Sequence, residues 1–213
     1  MPRRAHDYRG LTQPRRLQLL RAIQRAPGRR AGELASECGI PLNTVRDHLR
    51  VLEDEGLIRG ETVQVGMRGR PPVVFHPVRE AALSPAASAR VHGADERGRM
   101  LRAVTRPPTA VRAADTALDA DAVRQLDVLY EHLDDAGLDP AVDEGSLSFD
   151  LAPCRYHDMI DEDRALVCRV HARLVRDVLA QTDGPLAVER LEPFVTAHRC
   201  RLQLMLVSRK SSP

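Results

Sequence analysis

Between Pro41 and Gly56 the apolar residues Val45, Leu49 and Leu52 recur at i, i+4 and i+7. That spacing puts them on one stripe of a helix and leaves Asn43, Thr44, Arg46, Asp47 and Arg50 on the other side. Proline suits a first helical turn, and Gly56 suits a cap. Upstream, Leu17, Leu20 and Ile23 predict a helix over about Pro14 to Arg25, which Pro27-Gly28 ends. A second helix is expected from about Ala31 to Cys38. Gly39 then permits a tight turn into the helix that follows. Three short helices so closely joined have little freedom in how they pack.

Downstream, Leu57-Ile58 and Thr62–Val65 lead into Gly66-Met67-Arg68-Gly69-Arg70-Pro71-Pro72, and Val73-Val74-Phe75 follows. Two β runs around a Gly/Arg/Pro tip predict a hairpin. Three helices and a hairpin in this order read as a winged helix-turn-helix. Its third helix would present Asn43, Thr44, Arg46 and Arg50 to base edges and phosphates of double-stranded DNA. Arg68 and Arg70 on the tip suit a narrow minor groove. Asp47 stands where a basic or neutral residue would suit DNA better. Cys38, at the end of a packed helix, reads as a buried structural thiol.

Charge follows the same division. Residues 1–80 hold 15 arginines against 9 acids, a net of +6, while the whole chain is only +2. A basic reader joined to a mildly acidic second part is expected. Of the 32 basic residues all but Lys210 are arginine, the better fork for phosphate and guanine. The 3% of aromatic residues and the lack of tryptophan argue against a stacking platform for single strands. No run of about 18 apolar residues occurs, so no membrane span is expected, and the chain reads as cytoplasmic.

Residues 1–80 and 14–77 within them carry the first resemblance. The stretch GELASECGIPLNTVRDHLRVLEDEGLIRG, followed by GMRGRPPVVFHP, resembles winged-helix regulators of the ArsR/MarR/DeoR type. That resemblance implies transcriptional control.

Residues 81–137 are expected to be a linker and a helical dimerisation segment. Residues 78–93 are rich in Ala, Ser and Pro and read as a linker with a weak helical turn. Met100, Leu101 and Val104 can line a helix ended by Pro107-Pro108. Asp119 or Asp121 can cap another, through about Ala136, with Val123, Leu126, Leu129, Tyr130 and Leu133 as its apolar stripe. Such a stripe suits the seam of a homodimer reading a palindromic operator, or packing within one chain.

Residues 138–213 predict a β-β-α-β-β unit, a small antiparallel sheet packed on a helix from about Asp161 to Thr182. The fold class expected for the whole chain is therefore α+β. Soft and borderline ligands gather here: Cys154 and His157, Cys168 and His171, His198 and Cys200. Thiolates select zinc, copper(I) or iron–sulfur clusters. Three Cys and one His also satisfy tetrahedral zinc. A Cys/His pair can activate a nucleophile, but neither an oxyanion motif nor a phosphate loop accompanies it, so the chain does not read as an enzyme.

Residues 145–207 carry the second resemblance. LAPCRYHDM, LVCRVHARLV and LAVERLEPFVTAHRCRLQL are similar to the C-terminal domain of SufR-like repressors, the iron–sulfur-responsive regulators of cluster assembly. The resemblance implies that Cys154, Cys168 and Cys200 hold a 4Fe-4S or 2Fe-2S cluster. It leaves the fourth ligand to His171, with His157 and His198 as alternates. Operator binding would then follow cluster state. A zinc-binding or thiol-redox regulator of the same fold is the alternative.

Overall fold

The computed structural model describes residues 11, 13–64, 71–105, 118–152, 157–196 and 199–207. Its first part is a three-helix unit with a small sheet: α1 (Pro14–Arg25), β1 (Arg29–Arg30), α2 (Ala31–Cys38), α3 (Leu42–Asp54), β2 (Ile58–Thr62) and β3 (Val73–Pro77). The sheet order is β1-β3-β2, all antiparallel. Helix α1 starts on a proline, and α2 ends on Gly39 in a left-handed conformation at φ 62°. Leu20, Ile23, Leu34, Val45, Leu49 and Leu52 are buried together. The helices and the core stripe follow the expectation from sequence.

The middle of the chain differs from it. A short 3-10 turn (Ala81–Leu83) leads into a long helix, α4 (Pro85–Thr105). The stretch expected to be a linker is therefore half of a helix. Most of its small residues are alanines, the best helix formers, and Pro85 stands at the start, where its missing N–H costs nothing. The Ser84 hydroxyl accepts from Ala87 N–H at 3.4 Å. Ala87, Val91 and Ala94 form the buried stripe at i, i+4 and i+7. Pro107-Pro108, expected to end this helix, lie outside the described residues.

Helix α5 (Ala120–Asp135) is capped by Asp119, whose carboxylate accepts from Ala122 N–H at 2.7 Å. Leu126, Leu129 and Leu133 are buried inside the chain itself, against α4 and the elements that follow. Of the two uses open to that stripe, these three residues serve intrachain packing. Between α4 and α5, Arg97 pairs with buried Glu131 at 2.6 Å, and Arg124 grips Asp95 at 2.8 Å.

The last part contains β4 (Pro140–Asp143), β5 (Ser148–Leu151), α6 (His157–Leu179), β6 (Leu186–Thr196) and β7 (Arg199–Leu206). The sheet order is β4-β5-β7-β6, antiparallel throughout. Helix α6 breaks at Asp163, whose φ is −153°, and restarts there with the Asp163 carboxylate accepting from Leu166 N–H at 2.9 Å. The amphipathic stretch proper therefore starts at a cap. Leu166, Val170, Leu174 and Val178 of α6 are buried, as are Phe149, Leu151, Leu202 and Leu204 of the sheet. Strand β6 runs five residues beyond the expected Leu191 and carries register shifts between Val188 and Arg190 and between Glu192 and Thr196. The α+β expectation holds. The apolar residues of the first, middle and last parts join one buried cluster.

Candidate nucleic-acid interface and thiol site

Helix α3 turns Val45, Leu49 and Leu52 inward, and the 3.6-residue repeat then sends Asn43, Thr44, Arg46, Asp47 and Arg50 out to solvent. Arg46 Nη1 donates to Asn43 Oδ1 at 3.2 Å. Arg50 lies 3.5 Å from Asp47, with both side chains about 70% exposed. Asp47 thus sits inside the basic face as a local counter-charge. Arg46 and Arg50 edge a cleft between α3 and the wing, lined also by Glu53, Val73 and Phe75. The Glu53 carboxylate accepts from Gly60 N–H at 2.7 Å, and burial raises its pKa. A Cβ at Gly60 would stand 2.8 Å from Glu53 Oε1, so an added side chain would displace that carboxylate. Arg68 and Arg70 lie outside the described residues.

Cys168 and Cys200 lie near enough for the charge of one thiol to bear on the other. Cys168 is on α6 and Cys200 is on β7, both half-buried. Burial pushes the Cys168 thiol up, Cys200 adds to that, and Arg164 opposes it. Cys200 pairs across the sheet with Leu151, and Cys154 follows Leu151 by three residues in sequence. Cys154 and His198 lie outside the described residues, as does the His157 side chain. Among the described residues no three His, Cys, Asp or Glu side chains converge as a metal site.

His171 is placed elsewhere. It lines a small apolar cavity with Leu11, Leu17, Val167, Val170 and Leu174, where α6 meets α1. Burial lowers its pKa to about 4. Beside it His132, fully buried on α5, is held well below the ordinary histidine value by burial, by Arg90 and by His171. Sequence reasoning passed over His132, because a lone histidine next to an apolar stripe carries no motif. Cys38 is half-buried against the core, and burial raises its thiol, in keeping with a packing thiol.

Reasoning from sequence also missed how the first and last parts of the fold meet. Helix α6 packs on α1, and Gln24 Nε2 donates to Val170 O at 3.5 Å. Arg79, just after the wing, pairs with buried Asp177 on α6 at 2.8 Å. Gln181 Nε2 donates to Val78 O at 3.2 Å. Arg90 reaches both Gln181 Oε1 at 3.4 Å and Glu55 O, at the end of α3, at 2.8 Å. No single motif marks these contacts, because each partner lies about 90 or more positions away or is an ordinary polar residue.

No helix among the described residues is long and apolar enough to cross a membrane. No curated protein and no solved structure matches the chain. Residues 11–61, from α1 through most of β2, match the family model of a helix-turn-helix domain, and with that domain presenting its third helix to solvent the chain is a DNA-binding transcriptional regulator.

Proposed function

We propose that the hold of this regulator on DNA is set by a thiolate-bound group in its last part, with Cys154, Cys168 and Cys200 as ligands. What supports a soft centre is two half-buried thiols close enough for one to raise the other's pKa. The fit does not extend to His171, which faces α1, so the fourth ligand falls to His157 or His198. An iron–sulfur cluster there would supply an oxygen- and redox-labile centre. Zinc on the same three thiols is the second reading, because three Cys and one His equally suit a tetrahedral ion.

One observation carries the reading. Helix α6 bears Cys168, and the same helix bears Val167, Val170 and Leu174 against α1 of the reader. A helix moves as a rigid rod over a few turns, so what Cys168 binds bears on how α1 sits. Helix α1 packs on α2 and α3, and α3 carries the DNA face. Asn43, Thr44, Arg46 and Arg50 would meet bases and phosphates of double-stranded DNA, with Arg68 and Arg70 following the minor groove. A homodimer on a palindromic operator, acting as a repressor, completes the proposal.

Anaerobic purification tests it. A brown protein with iron and sulfide, whose operator affinity changes when the cluster is lost, supports the cluster. A colourless chain that carries zinc supports the second reading. A chain that takes up neither after reconstitution refutes both.

A further inference from the structure

The register shift in β6 falls opposite a cysteine. Glu192 pairs with Arg201 and Thr196 with Arg199, so Pro193, Phe194 and Val195 all bulge across from the one residue between, Cys200. Phe194 stands there at φ 58°, a left-handed conformation that non-glycine residues rarely adopt. Over its ring lies the Arg164 guanidinium, 4.5 Å from the centroid. Arg164 is on α6 four residues before Cys168, hence on the same side of the helix. One stack thus ties the helix that bears one thiol to the bulge facing the other.

We propose that Arg164 and Phe194 form a latch that fixes the α6 side of the thiol site against its β7 side, and so positions Cys168 and Cys200 for a shared ligand. They are positioning residues, and the proposal rests on the reading of those cysteines as ligands. An exposed cation–π contact adds little to overall stability. Its place at the junction of the two thiols is what gives it a role.

The test is an anaerobic cobalt(II) titration of the reduced full chain, read from the thiolate-to-cobalt absorption. Arg164→Ala and Phe194→Leu should each weaken cobalt binding by roughly tenfold, as loss of a group that orients a metal ligand does. Phe194→Trp, which keeps the stack, should bind as the parent does, and Arg164→Lys should fall between. Thermal midpoints read by circular dichroism check that each variant folds. If one alanine or leucine variant unfolds, the other still decides. Parent-like affinity in Arg164→Ala and Phe194→Leu overturns the latch while leaving the cysteines as ligands. Absence of thiolate–cobalt absorption in the parent overturns the ligand reading, and the latch with it.

Discussion

Acid should loosen the contact between α1 and α6, and His171 is the residue that reports it. Its ring lies in the apolar cavity between α6 and α1, and its pKa there is about 4. In the unfolded chain the value returns to about 6.5. The unfolded state therefore binds more protons between those values, so stability is intact above pH 6.5 and falls as the pH drops towards 4. For this one group the loss at pH 5 relative to pH 8 works out to about 2 kcal/mol, rising to about 3 kcal/mol below pH 4. His132 acts in the same direction, because its own pKa is lowered by burial, Arg90 and His171. The measurement is urea unfolding by circular dichroism at pH 8 and pH 5, on the parent and on His171→Leu. The variant keeps an apolar filling but removes the proton site. Its loss between the two pH values should be smaller than the parent's by about 2 kcal/mol. Carboxylates titrate in both proteins and cancel in the difference. Equal losses would refute the reasoning, since a histidine that titrates alike in the folded and unfolded chain cannot contribute.

Three further outcomes test the DNA face and the turn that ends α3. Arg46→Ala and Arg50→Ala should each weaken DNA binding and reduce the salt slope by about 0.9 per lost phosphate contact; unchanged slopes would mean that another surface meets DNA. Asp47→Ala should strengthen binding at low salt and steepen that slope, because it removes an anion from the face and releases Arg50. Both are read by fluorescence anisotropy across a salt series. Gly56→Ala should destabilise the chain by roughly 1–3 kcal/mol in urea unfolding, since Gly56 stands at φ 66° and an added Cβ would meet Ala87 N at 2.9 Å.

The reader was legible because its signals are local. Pro14, Gly39 and the stripe of Val45, Leu49 and Leu52 mark α1, the turn and α3 within a few residues of where they act. The sheet and its helix were legible for the same reason, from Phe149 and Leu151 alternating in β5 to the α6 stripe. The first half of helix α4 was missed because Ala86, Ala87 and Ala89 look like a linker when counted as small residues and like a helix when weighed by propensity. The resemblance leaves the fourth ligand to His171, three residues after Cys168. Three residues rotate a helix to within about 60° of the starting direction, and that remainder is enough to turn the ring towards α1. An apolar face on α1 and another on α6 can each be read from the chain. Nothing local says that the two faces meet, since Gln24 and Val170 are 146 positions apart.

That meeting decides what kind of coupling is available. Two routes run from α6 to the DNA face. One is apolar, through Val167, Val170 and Leu174 to α1. The other is polar, from Asp177 through Arg79 to the base of the wing, and from Gln181 through Arg90 to Glu55 O at the end of α3. An allosteric change in affinity of 5- to 150-fold needs about 1–3 kcal/mol of difference between two states. A hydrogen bond to a charged group contributes about that much by itself, so the loss or gain of the Arg79–Asp177 pair suffices. The apolar route offers the same range in a different way, since packed faces resist gradual deformation and favour discrete arrangements. The two routes differ in what breaks them. Arg79→Ala cuts the polar one and leaves α1 seated on α6. If the last part controls DNA binding through the wing, that substitution uncouples the two while DNA affinity of one state survives; if control runs through α1, coupling persists and only stability falls.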